Sequence, residues 1–447
     1  MDGGRLSRWM PSLLAGAVFS LLVFRLFRLI ADWAVNLFFW DQWDFNTVTL
    51  FERGDLWQMF DWQHGPHRQG VGALLQVAVE PLYRWSSRGE AFTAGAIIAG
   101  AALGALYLEK RLMGRLSYAA SIIPISFLGP AQYESLWVMP NFSHGPLPLL
   151  LLVVYCLAWT VRRTALRYSL VLLVSFLTTY TGFGFFVGAL TPLLLCVDHF
   201  STAPAERIRT GPWVVALGLS LASLASFFHG YTWQPAANCD VNQAEPLPRY
   251  GAFAALMLAH AAGARGADLG ALLTGSALLA GVLASLLFSA RRLFAAGEAD
   301  RRRFLVTAAL ASYELLFCFG TAYGRLCLGV ETALSSRYTN YVTLGILGLY
   351  LSALFVTRRS TRAVLLFALA GVAAAGSLPI QGADLARIQY TYAVKSSWRS
   401  CYLAFKDVER CDWQTRVHVY PQPDATHLKA KLDYLERAGL NLFSDPK

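Results

Sequence analysis

Long apolar stretches separated by short polar segments run through most of the chain. Many of them approach the ~20 residues that a helix needs to cross a ~30 Å hydrocarbon layer. The pattern therefore predicts an all-α polytopic membrane protein with about eleven transmembrane helices. The predicted spans are Ser12–Phe39, Ala91–Leu108, Tyr118–Leu128, Leu147–Thr160, Tyr168–Tyr180, Phe185–Val197, Pro212–Phe228, Ala267–Ala290, Phe304–Ala322, Tyr338–Val356 and Ala363–Pro379.

The segment GVGALLQVAVEPLYRW is only moderately apolar and is cut by Glu80 and Pro81. We expect it to lie in the membrane interface as an amphipathic helix and not to span. With that assignment the short arginine and lysine clusters between the spans all fall on one side, which the positive-inside rule makes cytoplasmic. The N-terminus is then cytoplasmic and the C-terminus lies on the outer side.

The composition agrees with a membrane protein, because 55% of the 447 residues are hydrophobic, 15% are charged and the mean hydropathy is +0.43. Soluble domains carry roughly 25% charged residues. The net charge of +10 sits in the topology-setting clusters. We therefore expect membrane lipids as partners and no nucleic acid.

The predicted topology divides the chain into a transmembrane domain, residues 1–380, and a periplasmic C-terminal segment, residues 381–447. It leaves five outer regions, of which the first outer loop, Trp40–Glu90, is expected to contain interfacial helices. Cys401 and Cys411 both lie in the C-terminal segment, where an oxidising compartment makes a disulfide one alternative and two free thiols the other. The remaining outer regions are Gly129–Pro146, Tyr231–Arg265, Gly324–Arg337 and the chain from Gln381.

Two acids open the first outer loop, in FWDQWDF. Asp41 and Asp44 are three residues apart, so they share a face on a helical turn but not in an extended loop. One carboxylate could act as a general base, or the two could hold a hydroxyl nucleophile or a divalent cation. Alternatively, both are interfacial polar residues beside an aromatic belt.

Two imidazoles and an arginine follow in QHGPHRQG, where glycine and proline impose a turn. His64, His67 and Arg68 in one turn indicate recognition of an anion such as a phosphate. Capping of the following helix is the alternative.

Further polar candidates stand in two later outer regions. PAQYESLWVMPNFSHGP contains Glu134, Asn141 and His144, and SSRYTNY contains Arg337 and Tyr338. An arginine at the outer end of a span could hold a lipid-linked phosphate or could simply anchor the helix at the interface. The glycines of TTYTGFGFF predict a tight turn between two spans.

With these residues the chain resembles the GT-C class of membrane glycosyltransferases, in which one long helix precedes an outer loop that opens with acidic residues. It is also similar to a group of bacterial membrane proteins in which WDxW is followed by a His-Arg turn, a Ser-Arg-Tyr before a late span and a tail like YLERAGLNLF. The resemblance implies a multi-pass protein of the bacterial inner (cytoplasmic) membrane.

The resemblance implies transfer of a sugar from a polyprenyl-phosphate-linked donor to a glycan, lipid or protein acceptor on the periplasmic side. Asp41 or Asp44 would be the catalytic base, and His64, His67, Arg68 and Arg337 would hold the departing phosphate. In this class two acids are usually adjacent, whereas Gln42 follows Asp41 here. The identity of the base and the need for a divalent cation therefore stay open. The alternatives are a transporter or flippase, and a polymerase or ligase, of lipid-linked glycans.

Overall fold

The apolar stretches form helices, and the polar segments between them form short turns on the two faces of a helical bundle. The computed structural model describes residues 3–204, 207–233, 245–295, 297–420 and 425–444. Its helices are α1 Gly3–Trp33, α2 Gln42–Asn46, α3 Leu56–Phe60, α4 Gly70–Val79, α5 Ser87–Met113, α6 Ile122–Phe127, α7 Pro146–Trp159, α8 Thr164–Thr179, α9 Phe185–Ser201, α10 Thr210–Phe227, α11 Leu247–Ala261, α12 Leu269–Leu293, α13 Glu298–Arg325, α14 Thr339–Leu354, α15 Arg359–Ser377, α16 Gly382–Phe405, α17 Val408–Thr415 and α18 Ala425–Ala438. In the described ranges, strands occur as one two-residue pair, β1 Gln63–His64 and β2 His67–Arg68.

Six helices in the described part of the chain are long and apolar enough to cross a membrane, which confirms the all-α polytopic fold. They fall at α1, α5, α10, α12, α13 and α15. The shorter helices α7, α8, α9 and α14 occupy four more of the predicted spans. The protein is thus a multi-pass membrane protein.

The predicted span Tyr118–Leu128 is an interrupted helix. A 3₁₀ turn there leads into α6, which has only six residues. The helix ends because Gly129 precedes Pro130 and is extended, with φ −74° and ψ 153°. A residue before proline is pushed out of the helical region by the proline ring. The segment packs against α1, α5 and α15.

The prediction of a loop at Tyr231–Arg265 is wrong over the described residues 247–261, because they form a buried helix, α11. Every residue from Phe253 to His260 is buried. The helix packs mainly on α12, where a Cβ on Gly275 would lie 1.8 Å from the carbonyl oxygen of Ala255. Small residues allow such close helix contacts in membranes.

The C-terminal segment packs on the first outer loop. Asn441, which is fully buried, donates through Nδ2 to the carbonyl of Trp85 at 2.8 Å and accepts from the Phe38 amide at 3.2 Å. The Trp40 amide donates to the carbonyl of Val419 at 2.7 Å. A disulfide joins Cys401 of α16 to Cys411 of α17, which is one of the two alternatives that the sequence leaves open.

Candidate functional site

The hairpin of β1 and β2 positions two imidazoles. Gly65 lies between the strands with φ +55°, a conformation that glycine adopts at no steric cost. The antiparallel register sets His64 opposite His67 and Gln63 opposite Arg68. Residues directly opposite each other point to the same face, so both imidazoles lie on one face of the hairpin.

Asp41 and Asp44 lie on one helical turn, since Asp41 is the N-cap of α2 with helical φ and ψ. Residues three apart on a turn share a face. A carboxylate oxygen of each and a ring nitrogen of His64 lie within 4.8 Å of one another. His64 Nε2 is 3.9 Å from Asp41 Oδ2. The first outer loop thus brings two acids and one imidazole together.

Asp41 and His64 open onto a cavity of about 90 Å³, the inner cavity. Eight of the ten predicted site residues line it, although they come from three outer regions. They are Asp41, His64, His67, Glu134, Asn141, His144, Arg337 and Tyr338.

Arg68 and Asp44 do not line the inner cavity. Arg68 is buried, and its guanidinium donates to the Asp61 carboxylate at 2.8 Å and to the Phe227 carbonyl at 3.1 Å. It joins the hairpin to the end of α10. Asp44 accepts a hydrogen bond of 2.6 Å from the Tyr420 hydroxyl of the C-terminal segment.

Glu134 and Arg337 form an ion pair across the inner cavity, with 2.5 Å between Arg337 Nη2 and Glu134 Oε1. The Ser335 hydroxyl donates to the second oxygen of the carboxylate at 3.1 Å. The charge of Glu134 raises the pKa of the Arg337 guanidinium, which therefore stays charged. This pair ties the outer region 129–146 to the outer region 324–337.

Asn141 shapes the turn that holds His144. Its side-chain oxygen accepts from the amides of Ser143 and His144, at 2.9 and 3.1 Å. The Tyr341 hydroxyl donates to the carbonyl of His144 at 2.7 Å. The predicted turn between two spans is confirmed at Gly182, where a Cβ would lie 2.3 Å from that hydroxyl.

The two buried imidazoles are neutral. Burial lowers the pKa of His67 to about 3, and the charge of Arg325 adds to the effect. Burial also lowers the pKa of His144 well below its ordinary value, with His67 as the next cause. The rings of His67 and His144 meet edge to face, 5.0 Å between centroids. At neutral pH these side chains offer hydrogen bonds to a ligand, and charge comes from the arginines.

This burial predicts a pH-dependent stability. The unfolded state binds a proton on His67 near pH 6.5 and the folded state only near pH 3, so stability is present above pH 6.5 and lost as the pH falls. At pH 5 the loss from His67 is about 2 kcal/mol. We expect the thermal midpoint of the wild type to be lower at pH 5 than at pH 7.5. The midpoint of His67→Gln should drop by less over the same change in pH.

The matched control is His418→Gln, because His418 is 65% exposed. It should lose stability in acid as the wild type does. An equal loss in His67→Gln and the wild type would contradict the prediction.

One cavity residue, Arg325, escaped the sequence analysis. It ends α13 and lines the inner cavity, and it also lines a larger neighbouring cavity of about 1110 Å³, the outer cavity. Within the described residues it forms no ion pair with a carboxylate. From sequence it looks like any arginine that ends a span, and only its neighbours in the fold distinguish it.

The cluster of Asp41, Asp44 and His64 fits a divalent cation. Two carboxylates and an imidazole within 4.8 Å offer three ligand atoms. Oxygen-rich sets suit Mg²⁺ and Mn²⁺. All three side chains are half-buried and can reach solvent for further water ligands.

Comparison with known families gives no matching family model, and comparison with curated proteins gives no match. Among solved structures, the archaeal oligosaccharyltransferase AglB from Archaeoglobus fulgidus, in complex with an inhibitory peptide and a dolichol-phosphate, is similar with a TM-score of 0.40 and 13% sequence identity. The match covers 95% of this chain and 60% of AglB, so the chain spans well under the full length of that protein.

Proposed function

We propose that the protein is a membrane glycosyltransferase that moves a sugar from a polyprenyl-phosphate-linked donor to an acceptor hydroxyl or amide on the periplasmic side. One observation carries the proposal: eight polar residues from three outer regions line a single cavity beside the helical bundle. Two acids, three imidazoles and two arginines converge there. This set can take a proton from an acceptor and stabilise a departing phosphate.

Asp41 is the general base in this proposal. It lines the inner cavity and its side chain is 35% exposed, so an acceptor can reach it. Asp44 lies outside that lining and is engaged by the Tyr420 hydroxyl. Of the two acids left open by the sequence, Asp41 is therefore the one placed to touch substrate.

The reaction is a single displacement. For a hydroxyl acceptor, Asp41 takes the proton and the oxygen forms a bond to the anomeric carbon of the donor sugar. The bond from that carbon to the phosphate oxygen breaks, and the prenyl phosphate leaves with the electron pair. Attack from the opposite face inverts the anomeric centre. Arg337 and Arg325 face the developing negative charge, and the neutral rings of His67 and His144 can donate hydrogen bonds to it.

A divalent cation would be held by Asp41, Asp44 and His64. When bound, it would supply positive charge to the departing phosphate. Arg337 also places a positive charge at the inner cavity, and its ion pair with Glu134 partly neutralises that charge.

The test is transfer by the purified protein from a panel of polyprenyl-phosphate sugars to mixed glycan and lipid acceptors, with and without EDTA. We expect turnover of at least one donor with inversion. Loss of turnover in EDTA and its return with Mn²⁺ would assign the cation. Donor binding or movement across a vesicle without any turnover would contradict the proposal and favour a transporter.

A further inference from the structure

The inner cavity is too small for a whole substrate. Its volume is about 90 Å³. Sites for small molecules commonly enclose roughly 300–1,000 Å³. The inner cavity can hold the reacting atoms, and the rest of a substrate must lie elsewhere.

The outer cavity has the size of a ligand site, about 1110 Å³, and it adjoins the inner cavity. Four residues line both: Glu134, Arg325, Arg337 and Tyr338. A ligand in the outer cavity therefore has direct access to this shared wall. Most of the remaining lining comes from the segments 265–267 and 328–335 and from α16.

The charge in the outer cavity is unevenly compensated. Arg265 and Arg337 are each paired, with Asp384 at 2.7 Å and with Glu134 at 2.5 Å. Arg325 and Arg387 form no carboxylate ion pair within the described ranges. Arg387 is exposed and hydrogen-bonds the Tyr133 side chain. Its positive charge also acts on the Asp384 carboxylate.

One carboxylate of the lining, Glu331, is exposed to solvent. The lining contains four arginines and three carboxylates, which are Glu134, Glu331 and Asp384, so the outer cavity has one net positive charge. The half-buried Arg325 stands at the wall shared with the inner cavity. The outer cavity thus favours an anion close to the reacting atoms.

The same cavity offers apolar surface along one stretch of chain. Leu328, Val330 and Leu334 line it, and Leu328 is 38% exposed. Tyr390 of α16 lines it as well and is 61% exposed. Arginines beside apolar side chains suit a ligand with an anionic head and an apolar tail.

We propose that the outer cavity binds a phosphate-bearing amphiphile, with Arg325 and Arg387 as its anion contacts. This deepens the proposed function and rests on it only for the ligand's identity, because a lipid-linked donor and a membrane phospholipid share this chemistry. Arg325 then presents the phosphate at the shared wall, beside the groups that surround the reacting atoms.

The experiment measures binding of farnesyl phosphate to the purified full chain by isothermal titration calorimetry, without any acceptor. Charge-assisted hydrogen bonds to phosphate contribute enough that we expect Arg325→Gln and Arg387→Gln each to weaken binding about tenfold or more. Arg416→Gln is the matched control. Arg416 is exposed at the end of α17 and lines neither cavity, so this variant should bind as the wild type does.

Two further probes test the need for the phosphate and distinguish a lipid-linked donor from a membrane phospholipid as the ligand. Farnesol lacks the phosphate and should bind at least tenfold more weakly to the wild type. If phosphatidylglycerol displaces farnesyl phosphate, and its own binding is weakened by the same arginine substitutions, the proposed site is supported and its occupant is a phospholipid. If phosphatidylglycerol does not displace farnesyl phosphate, the prenyl phosphate is favoured.

Equal farnesyl phosphate binding by the arginine variants and the wild type would overturn the proposal, as would a wild type that binds no farnesyl phosphate. If Arg325→Gln does not fold, the exposed Arg387 still provides the test. Because no turnover is measured, arginine-dependent binding would stand even if sugar transfer were not found, and transfer could be found even if this binding failed.

Discussion

Asp41→Asn is expected to lower the rate of sugar transfer about a thousandfold, within the range that a general base contributes. An amide has the size of the carboxylate but cannot take the acceptor proton. Asp41 lines the inner cavity, and its side chain makes no capping hydrogen bond to α2. The substitution should therefore leave the backbone conformation unchanged. Single-turnover transfer from the preferred donor measures the effect.

Asp55→Asn is the matched control in the same loop. Asp55 caps α3 by accepting from the Gln58 amide at 2.8 Å, and asparagine caps helices equally well. Transfer should match the wild type. Full activity in Asp41→Asn together with loss in Asp44→Asn would exchange the roles given to the two acids, and full activity in both would remove the base from the mechanism.

Arg337→Gln is expected to lower transfer about a hundredfold, because a charge that faces the departing phosphate is lost. It should also destabilise the fold by about 2 kcal/mol, since the largely buried Glu134 carboxylate would lose its partner. The two side chains are 32% and 14% exposed. Single-turnover transfer and the thermal midpoint measure the two effects separately.

The double variant Glu134→Gln with Arg337→Gln separates catalysis from packing. With neither charge present, no carboxylate is left unpaired, so the thermal midpoint should recover most of its loss while transfer stays low. Recovery of both quantities would mean that Arg337 acts only through the fold.

Local patterns predicted the turn that carries His64 and His67, and the structure shows a hairpin with both imidazoles on one face. The three-residue spacing left open whether Asp41 and Asp44 share a face, and the structure places them on one helical turn. These residues meet Glu134 and Arg337 only in the folded protein. Glu134 and Arg337 pair although they are 203 positions apart, and local spacing in the sequence cannot predict such a contact. The sequence named eight residues of the inner cavity, missed Arg325, and could not give their arrangement.

Two segments differ from their predicted form for physical reasons of the same kind. The segment 118–128 is apolar enough for a span, but the extended residue before Pro130 interrupts its helix. The helix α11 is only 15 residues long and carries Arg249 near its start and His260 near its end, which hid it in a polar-looking loop. Arg68 shares a turn with the imidazoles, yet its register on the hairpin directs it to Asp61.

The hydrogen bond from Tyr420 to Asp44 joins residues 376 positions apart. During synthesis the first outer loop emerges early, while the segment that completes its contacts is made near the end and is held by a disulfide between Cys401 and Cys411. A nascent chain therefore carries the acids of the site without their final support. Competence would be acquired late, after the last segment has been made and oxidised, so a half-made chain in the membrane would not yet have the assembled site.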